Sequence, residues 1–415
     1  MTSRRAIVRA VFAALLFNLV CRSAQAVDRP VHGRLDEINS IRIVRVWGTP
    51  EEMGFAHGYL LADDIVTYLN ESIAASVGED AQAYAAALEL VRGIVQVPPE
   101  TKAEIAAILD GIRAKKGGLP DLKASGRPVQ YEDLVVANAG DLTRAFACSG
   151  FTVWGDSAGD AGVITARNFD FAAFTRYALE PGLILVRAPV GKRKVATITM
   201  PGYIGVFTGL NEDGISAFLH DGDGPQLKSP NGRYTPLTLA LKDFAERATP
   251  ADALDLAETV LRRVGPYPFS YMVRIAGPRA GHDKPPARVF RIDASGIGQN
   301  EPGRSRCITT NHYVGGNAVS QGGSADRYAL IESALHGRVT PDSAWNALAA
   351  VAAGDPGCTT LHSLVIYPEL RRLDVAFARL EGQPLPAPLN RRSSITFDQL
   401  FEAANGQNAS PGTGR

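Results

Sequence analysis

Few residues in this chain can do redox or metal chemistry: of 415 residues, four are Cys, four Met and three Trp. The seven histidines, at 32, 57, 220, 282, 312, 336 and 362, show no His-Glu-x-x-His or His-x-His spacing, and the cysteines no Cys-x-x-Cys. A metal site is therefore not expected. No glycine-rich phosphate loop stands at a strand-to-helix junction, so neither a nucleotide nor any other cofactor is indicated. Charge of one sign is also missing, with 43 basic against 43 acidic residues. Nothing recruits nucleic acid or an anionic membrane. A hydrophobic content of 45% with 21% charged residues describes an ordinary folded protein, long enough for one large or two ordinary domains.

Only one apolar run stands out. Arg4, Arg5 and Arg9 precede apolar residues 10–21, and Ala24-Gln25-Ala26 supplies a small-x-small cleavage site. Residues 1–26 read as a secretory signal peptide, too short in its apolar part to span a bilayer, and the protein is expected to be secreted or periplasmic without a stable membrane anchor. The arginine pair has a twin-arginine flavour, and Val20 before Cys21 is too large for a lipoprotein signal. Cleavage after Ala26 removes four arginines and no acids, leaving 39 basic and 43 acidic groups, a net of −4. Three cysteines remain, Cys148, Cys307 and Cys358, an odd number that leaves at least one thiol free. Cys307 and Cys358 are the two available for pairing in an oxidising compartment.

Residues 27–147 read as mainly helical after a short extended start at 41–47, with helical spacing over 51–70, 79–97 and 101–112 and a loop over 117–128. From Gly150 the pattern turns to short β-branched or aromatic runs at 151–154, 162–168, 183–187 and 195–200. Helices are expected over 237–248, 251–264, 327–335 and 343–353, and strands over 271–276, 287–292, 363–367 and 373–378. Residues 405–415 form a polar tail expected to be disordered. The alternation of strand runs with helix pairs suggests an α+β layered architecture.

The chemistry concentrates around Cys148, in Ala-Cys-Ser-Gly at 147–150, followed by Arg167-Asn168-Phe169-Asp170. A cysteine alone is more often a buried apolar residue. Here a guanidinium, Arg167, is available to stabilise a thiolate, and a carboxylate, Asp170, stands three residues on. By strand alternation Arg167 and Asp170 point to opposite faces, so they converge on one group only if the strand bends or ends. With no histidine motif nearby, the nucleophile gains a base if the Ala147–Cys148 bond is broken. The freed α-amine, of pKa roughly 8, then sits on the same residue as the thiol.

Five stretches in order carry a resemblance: Cys148-Ser149; the run ending Arg167-Asn-Phe-Asp170; Gly209-Leu-Asn211-Glu-Asp-Gly214; Thr310-Asn311-His312-Tyr; and Ser324-Ala-Asp-Arg327-Tyr. Together with Gly48-Thr-Pro-Glu-Glu-Met-Gly54 and His57-Gly58, the chain resembles the isopenicillin-N acyltransferase-like family of N-terminal nucleophile cysteine hydrolases, relatives of penicillin V acylase, bile salt hydrolase and acid ceramidase-type amidases. The resemblance implies a four-layer αββα sandwich, made as a pro-segment of residues 27–147 and a catalytic segment, 148–400, that stay associated after self-cleavage. It also implies that Asp170 holds the α-amine, that Asn211 contributes to an oxyanion hole, and that Asn311 and Arg327 support the site. Left to its local sequence, Asn211 reads as a turn residue, and His312 as a structural histidine near the pocket.

The expected reaction is attack of the Cys148 thiolate on a linear carboxamide, release of the amine and hydrolysis of the thioester, with a small-molecule amide or acyl compound as partner. Transfer of the acyl group from a thioester donor to an amine is the alternative within the fold, and an exported ligand-binding protein is the alternative outside catalysis. A papain-like protease fails for want of a histidine base near Cys148. Phe151, Trp154, Phe171, Phe174 and Tyr177 are candidates for an apolar acyl pocket or, more simply, for core.

Overall fold

Glycines set the first helical contact of the fold. In the computed structural model, Gly54 and Gly58 of one helix and Gly111 of another lie where a Cβ would overlap the backbone of Glu104, Ile108 and Phe55. The two helices therefore touch main chain to main chain. The structure describes residues 29–142, 146–171, 182–281, 284–300, 303–314, 323–355, 357–381 and 383–402. The signal segment, Phe174, Tyr177 and the 405–415 tail lie outside the described residues.

Along the chain, strands β1 (Gly33–Ile38) and β2 (Ile41–Gly48) precede helices α1 (Pro50–Leu60), α2 (Ala62–Val77), α3 (Ala81–Ile94), α4 (Pro99–Lys116) and α5 (Tyr131–Asn138). The expected single helix over 51–70 is two, broken at Leu61. The Thr-Pro-Glu-Glu motif before α1 is a capping box: Thr49 Oγ1 accepts from Glu52 N, and Glu52 Oε2 accepts from Thr49 N at 2.8 Å. Then follow β3 (Phe146–Trp154), β4 (Val163–Phe171), β5 (Leu183–Pro189), β6 (Val195–Thr199), β7 (Thr208–Asn211), β8 (Ser216–Asp221), α6 (Leu237–Arg247) and α7 (Ala253–Val264). The chain continues through β9 (Tyr271–Ala276), β10 (Ala287–Asp293), β11 (Gly296–Asn300), β12 (Arg306–Thr309), α8 (Ser324–Ala334) and α9 (Pro341–Ala349). It ends with β13 (Cys358–Tyr367), β14 (Arg372–Phe377), β15 (Ser393–Thr396) and α10 (Phe397–Leu400).

Two large sheets result. The nine-stranded sheet runs β1-β2-β5-β6-β7-β8-β9-β10-β11, and the other runs β12-β3-β4-β13-β14-β15 with a short strand, Gly354–Asp355, on β13. Pairing is antiparallel except where β2 meets β5 in parallel, Arg42 opposite Leu183 through Gly48 opposite Pro189. Residues from before Cys148 are thus built into the sheet of residues from after it, and the described residues from His32 onward fold as one unit.

Each sheet face has its own core. Ile43, Ile184 and Phe218 of the nine-stranded sheet pack with Leu364, Ile366 and Val375 of the other. Leu241 and Phe244 of α6 and Val260 and Leu261 of α7 cluster with Ala217, Leu219 and Val273, while Ile331 of α8 and Ala344 and Leu348 of α9 cluster with Phe151, Val153 and Val365. Strands buried on both faces show no polar alternation, and β9 has every residue buried.

One buried ionic cluster ties the helices to the nine-stranded sheet. Arg187 of β5 donates to Glu104 of α4 through Nε at 2.9 Å and Nη2 at 2.7 Å, and through Nη1 to Glu246 of α6. Lys242 completes it, 3.3 Å from Glu104 and 3.2 Å from Glu246. Against burial, which works to raise it, Arg187 and the neighbouring lysines hold Glu246 down at about 2.

Candidate active site

Strand β3 offers alternate residues to two different environments. Phe146 and Cys148 join the core shared with the nine-stranded sheet, whereas Phe151 and Val153 join the one under α8 and α9. On the first face Arg167 of β4 places Nη2 2.9 Å from Cys148 Sγ, and the Cys148 thiol lies 3.6 Å from Leu219 O of β8. The guanidinium is held by the carbonyls of Leu219, at 2.6 Å, and Phe207. It lies over the rings of Phe169 and Phe218. Arg167 is fully buried and, among the described residues, faces no carboxylate within ion-pair distance and leaves Nε without a hydrogen bond. Burial pushes the Cys148 thiol up to about 12, against the lowering pull of Arg167.

The main chain of Cys148 is held by a second set. Its N–H donates to Asn311 Oδ1 at 2.9 Å, and Arg327 Nη1 donates to its carbonyl at 2.8 Å and to Ser149 Oγ at 2.7 Å. Arg327 Nη2 also donates to Asn311 Oδ1 at 2.8 Å, and Asn311 Nδ2 donates to Asp221 O at 3.0 Å. Asp170 accepts from Thr360 Oγ1 at 2.6 Å and lies 3.6 Å from Arg327 Nη1. Burial raises the Asp170 carboxyl to about 6, with the Thr360 hydrogen bond and Arg327 opposing. Arg167 and Asp170 therefore do keep to opposite faces of β4, and no bend is needed: Arg167 addresses the sulfur, while Asp170 joins Arg327, which addresses the main chain. His312 lies beside this set, with Nδ1 2.8 Å from Ser324 Oγ, the hydroxyl that accepts from Asn311 N.

Asn211 corrects its expected role. Its Oδ1 accepts from Asp213 N and Ile215 N, closing the β7–β8 turn, and Nδ2 donates to Ala245 O and Ala248 O at 3.1 and 2.9 Å. Both amide hydrogens pin the end of α6, so neither is free for an oxyanion. Phe151 and Trp154 lie in separate core clusters and Phe171 stacks on Phe169, so these three serve as packing. Cys307 and Cys358 are both free thiols, so the pairing considered for them is absent.

Two residues at the site escaped the sequence reading. Arg274 of β9 is fully buried, donating to Thr152 Oγ1 and Thr165 Oγ1 at 2.8 Å and to Ala166 O at 2.6 Å. His220 of β8 is fully buried with both ring nitrogens unpartnered, and by alternation shares a face with Phe218, which packs under Arg167 and Arg274. Burial, and then Arg167, Arg274 and Arg327, drive its pKa well below the usual value, so the ring is neutral. Their only sequence signal was a charged or titratable residue inside an apolar run. Around Cys148, three guanidiniums thus face one carboxylate, an excess of positive charge suited to a thiolate or an oxyanion. Among the described residues no group of three or more His, Cys, Asp or Glu side chains is placed to hold a metal ion.

No family model matches the chain. An uncharacterized protein of Archaeoglobus fulgidus is 24% identical over 208 residues, 43% of this chain and 32% of that protein. The chain thus matches about a third of the length of that curated relative. Among solved structures, the chain is similar to a Caenorhabditis elegans N-acylethanolamine-hydrolyzing acid amidase ortholog (TM-score 0.39, 18% identity, 54% of this chain and 94% of that one). It is also similar to a conjugated bile acid hydrolase from Clostridium perfringens (0.41, 10%, 62% and 94%), and to penicillin V acylase from Agrobacterium tumefaciens (0.29, 13%, 55% and 83%).

Proposed function

We propose that this protein is an exported, self-processing amidase of the N-terminal nucleophile type, its two sheets and flanking helix pairs forming a four-layer αββα sandwich. One observation carries the reading: an unpaired buried guanidinium lies on the sulfur of a cysteine whose own N–H and C=O are held by Asn311 and Arg327. A structural cysteine has no use for this.

In the uncut chain the thiol is enclosed and its nitrogen is an amide, so it is poorly ionised. In processing, Sγ attacks the Ala147 carbonyl, the acyl chain moves from nitrogen to sulfur, and water hydrolyses the thioester. The products are an Ala147 carboxylate and a Cys148 α-amine. That amine, with a pKa of about 8, accepts the thiol proton in turnover. Asn311 Oδ1 and Asp170 orient it, Arg167 stabilises the thiolate, and Asn311 takes the place expected of Asn211 as the side-chain amide beside the reacting carbon. Attack on a substrate amide releases the amine, and water hydrolyses the acyl-enzyme; an acceptor amine in place of water gives transfer. The pro-segment, 27–147, stays bound through the β2–β5 pairing and the Arg187 cluster.

Intact mass of purified protein tests this directly, with fragments expected to end at Ala147 and begin at Cys148. Protein that stays whole while hydrolysing amides, or that is cut at this bond when Cys148→Ala is introduced, overturns the mechanism. A panel of N-acyl amino acids, N-acyl homoserine lactones, penicillin V and conjugated bile acids identifies the substrate.

A further inference from the structure

Away from the thiol, strands at and beside the edges of the two sheets line a cavity of about 360 Å³. β10 and β11 wall it on one side, β12 and α8 on the other. Arg291 and Arg306 line it, and neither forms an ion pair among the described residues. Arg291 donates Nη2 to Gln299 O and stacks on Tyr313, leaving Nε buried without a hydrogen bond. Arg306 donates Nη1 to Leu335 O. Gln299 and Asn300 add amide groups, and Glu332, exposed, is the one carboxylate in the lining. Val289, Ile308 and Tyr328 supply apolar wall.

Two guanidiniums answered mainly by carbonyls, in a cavity with an apolar wall, suit a compact anion on a short apolar stem. A guanidinium presents a planar fork of donors that a carboxylate matches, a preference an ammonium does not share. We infer that this cavity is a carboxylate-binding site for a small organic acid. Ile308 pairs with Phe151, three residues from Cys148, which puts the cavity wall about 10 Å along the strand from the nucleophile at about 3.3 Å per residue. That separation is too long for the carboxylate of an α-amino acid joined at the scissile amide. The acid is therefore either the far end of a longer amide substrate or a separate ligand.

Calorimetry with wild-type protein, titrating hexanoate and, in parallel, hexanol, tests the site, with Arg291→Gln and Arg306→Gln as variants and thermal unfolding to confirm that each is folded. Hexanoate is expected to bind at one site, hexanol about tenfold or more weaker, and each variant to lose about tenfold of hexanoate affinity. Arg306→Gln keeps the test decisive if loss of the Tyr313 stacking unfolds the Arg291 variant. Equal binding of acid and alcohol, no binding of hexanoate, or hexanoate binding unchanged in the folded variants overturns the proposal. Kinetics separate the two sources: a substrate terminus makes Arg306→Gln raise KM for amides ending in a carboxylate with kcat held, whereas a separate ligand makes hexanoate alter turnover of an uncharged amide. Hexanoate bound as expected by a protein that cleaves no amide leaves this site standing and removes the amidase reading.

Discussion

Two buried polar clusters in this molecule solve the same problem in opposite ways. Around Arg187, two guanidinium nitrogens meet Glu104, a third meets Glu246, and Lys242 closes the ring, so every charge has a partner. Around Cys148, Arg167 leans on carbonyls and a thiol, Arg274 on carbonyls and hydroxyls, and only Asp170 offers a negative charge. The first arrangement is complete as it stands. The second has no anion matching Arg167 among the described residues, and the proposed chemistry rests on that incompleteness.

If this contrast is right, substitutions in the two clusters dissociate stability from activity. The largest effect is expected from Cys148→Ala, with amide hydrolysis lost entirely, the chain left uncut, and thermal unfolding little changed; residual hydrolysis by the purified variant removes the contrast at its root. Glu104→Ala should cost about 3–5 kcal/mol in denaturant unfolding, because Arg187 and Lys242 keep their buried charge with half their partners gone. The kcat of the surviving folded protein should hold. Arg167→Met should do the reverse, lowering kcat/KM about a hundredfold or more at a smaller cost in stability, since removal of an unpaired buried charge offsets the donors withdrawn from the carbonyls of Leu219 and Phe207. If Arg167→Met destabilises as much as Glu104→Ala, the two clusters are alike after all. Asn211→Ala should cost about 1–3 kcal/mol through the unpaired carbonyls at the end of α6 and leave turnover unchanged. A collapse of turnover in a stable Asn211→Ala would return that residue to the oxyanion.

The finest distinction is in pH. Burial raises Asp170 to about 6, as it does Asp141 in the short turn Gly140–Leu142, which accepts from Leu237 N, Thr238 and Tyr267. Groups with raised folded pKa values bind protons more tightly folded than unfolded, so their contribution to stability grows as pH falls through 6 and is lost as pH rises through it. Glu246, held down, works the other way and loses its contribution below about 4.5. Over the same range the buried histidines His57, His220 and His362, pushed down by burial, take up protons only on unfolding and lower stability as pH falls. Asp170→Asn isolates the carboxyl: between pH 6 and 4.5 the wild type should gain stability relative to the variant, while wild-type activity falls as the proposed partner of the α-amine is protonated. Parallel melting and rate profiles of both proteins check this; equal pH slopes of stability exclude it.

The sequence showed what was periodic and what was chemically odd. Strand β9 was read with its observed bounds, and α6, α7 and β10 to within a few residues, because each joins a clean pattern to a Gly, Pro or Asp boundary. Cys148, Arg167 and Asp170 were singled out by proximity, and Asn311 and Arg327 through resemblance; the structure brings the five side chains together, which is what their proposed roles require. Strand β8 was not singled out, although it carries Leu219, His220 and Asp221: it follows the Asn211–Gly214 turn directly, and that turn drew the reading to Asn211. Nor was Arg274, whose contacts follow from which strands lie across the sheet interface, a fact no local window holds. The pairing suggested for Cys307 and Cys358 failed for the same reason, since the count of thiols says nothing of where β12 and β13 place them.

Self-cleavage at Ala147–Cys148, as proposed, would give the parallel seam between β2 and β5 a one-way history. Before the cut, the seam joins two parts of one chain, and a protein unfolded by heat can find it again at a cost set by loop closure alone. After the cut it joins two chains. Melting then sets them adrift, reassembly becomes second order in concentration, and each freed partner carries a bare strand edge that invites the wrong neighbour. Uncut protein should therefore survive heating and cooling that protein cut at this bond does not, and the lifetime of the cut form is set by how slowly the seam opens.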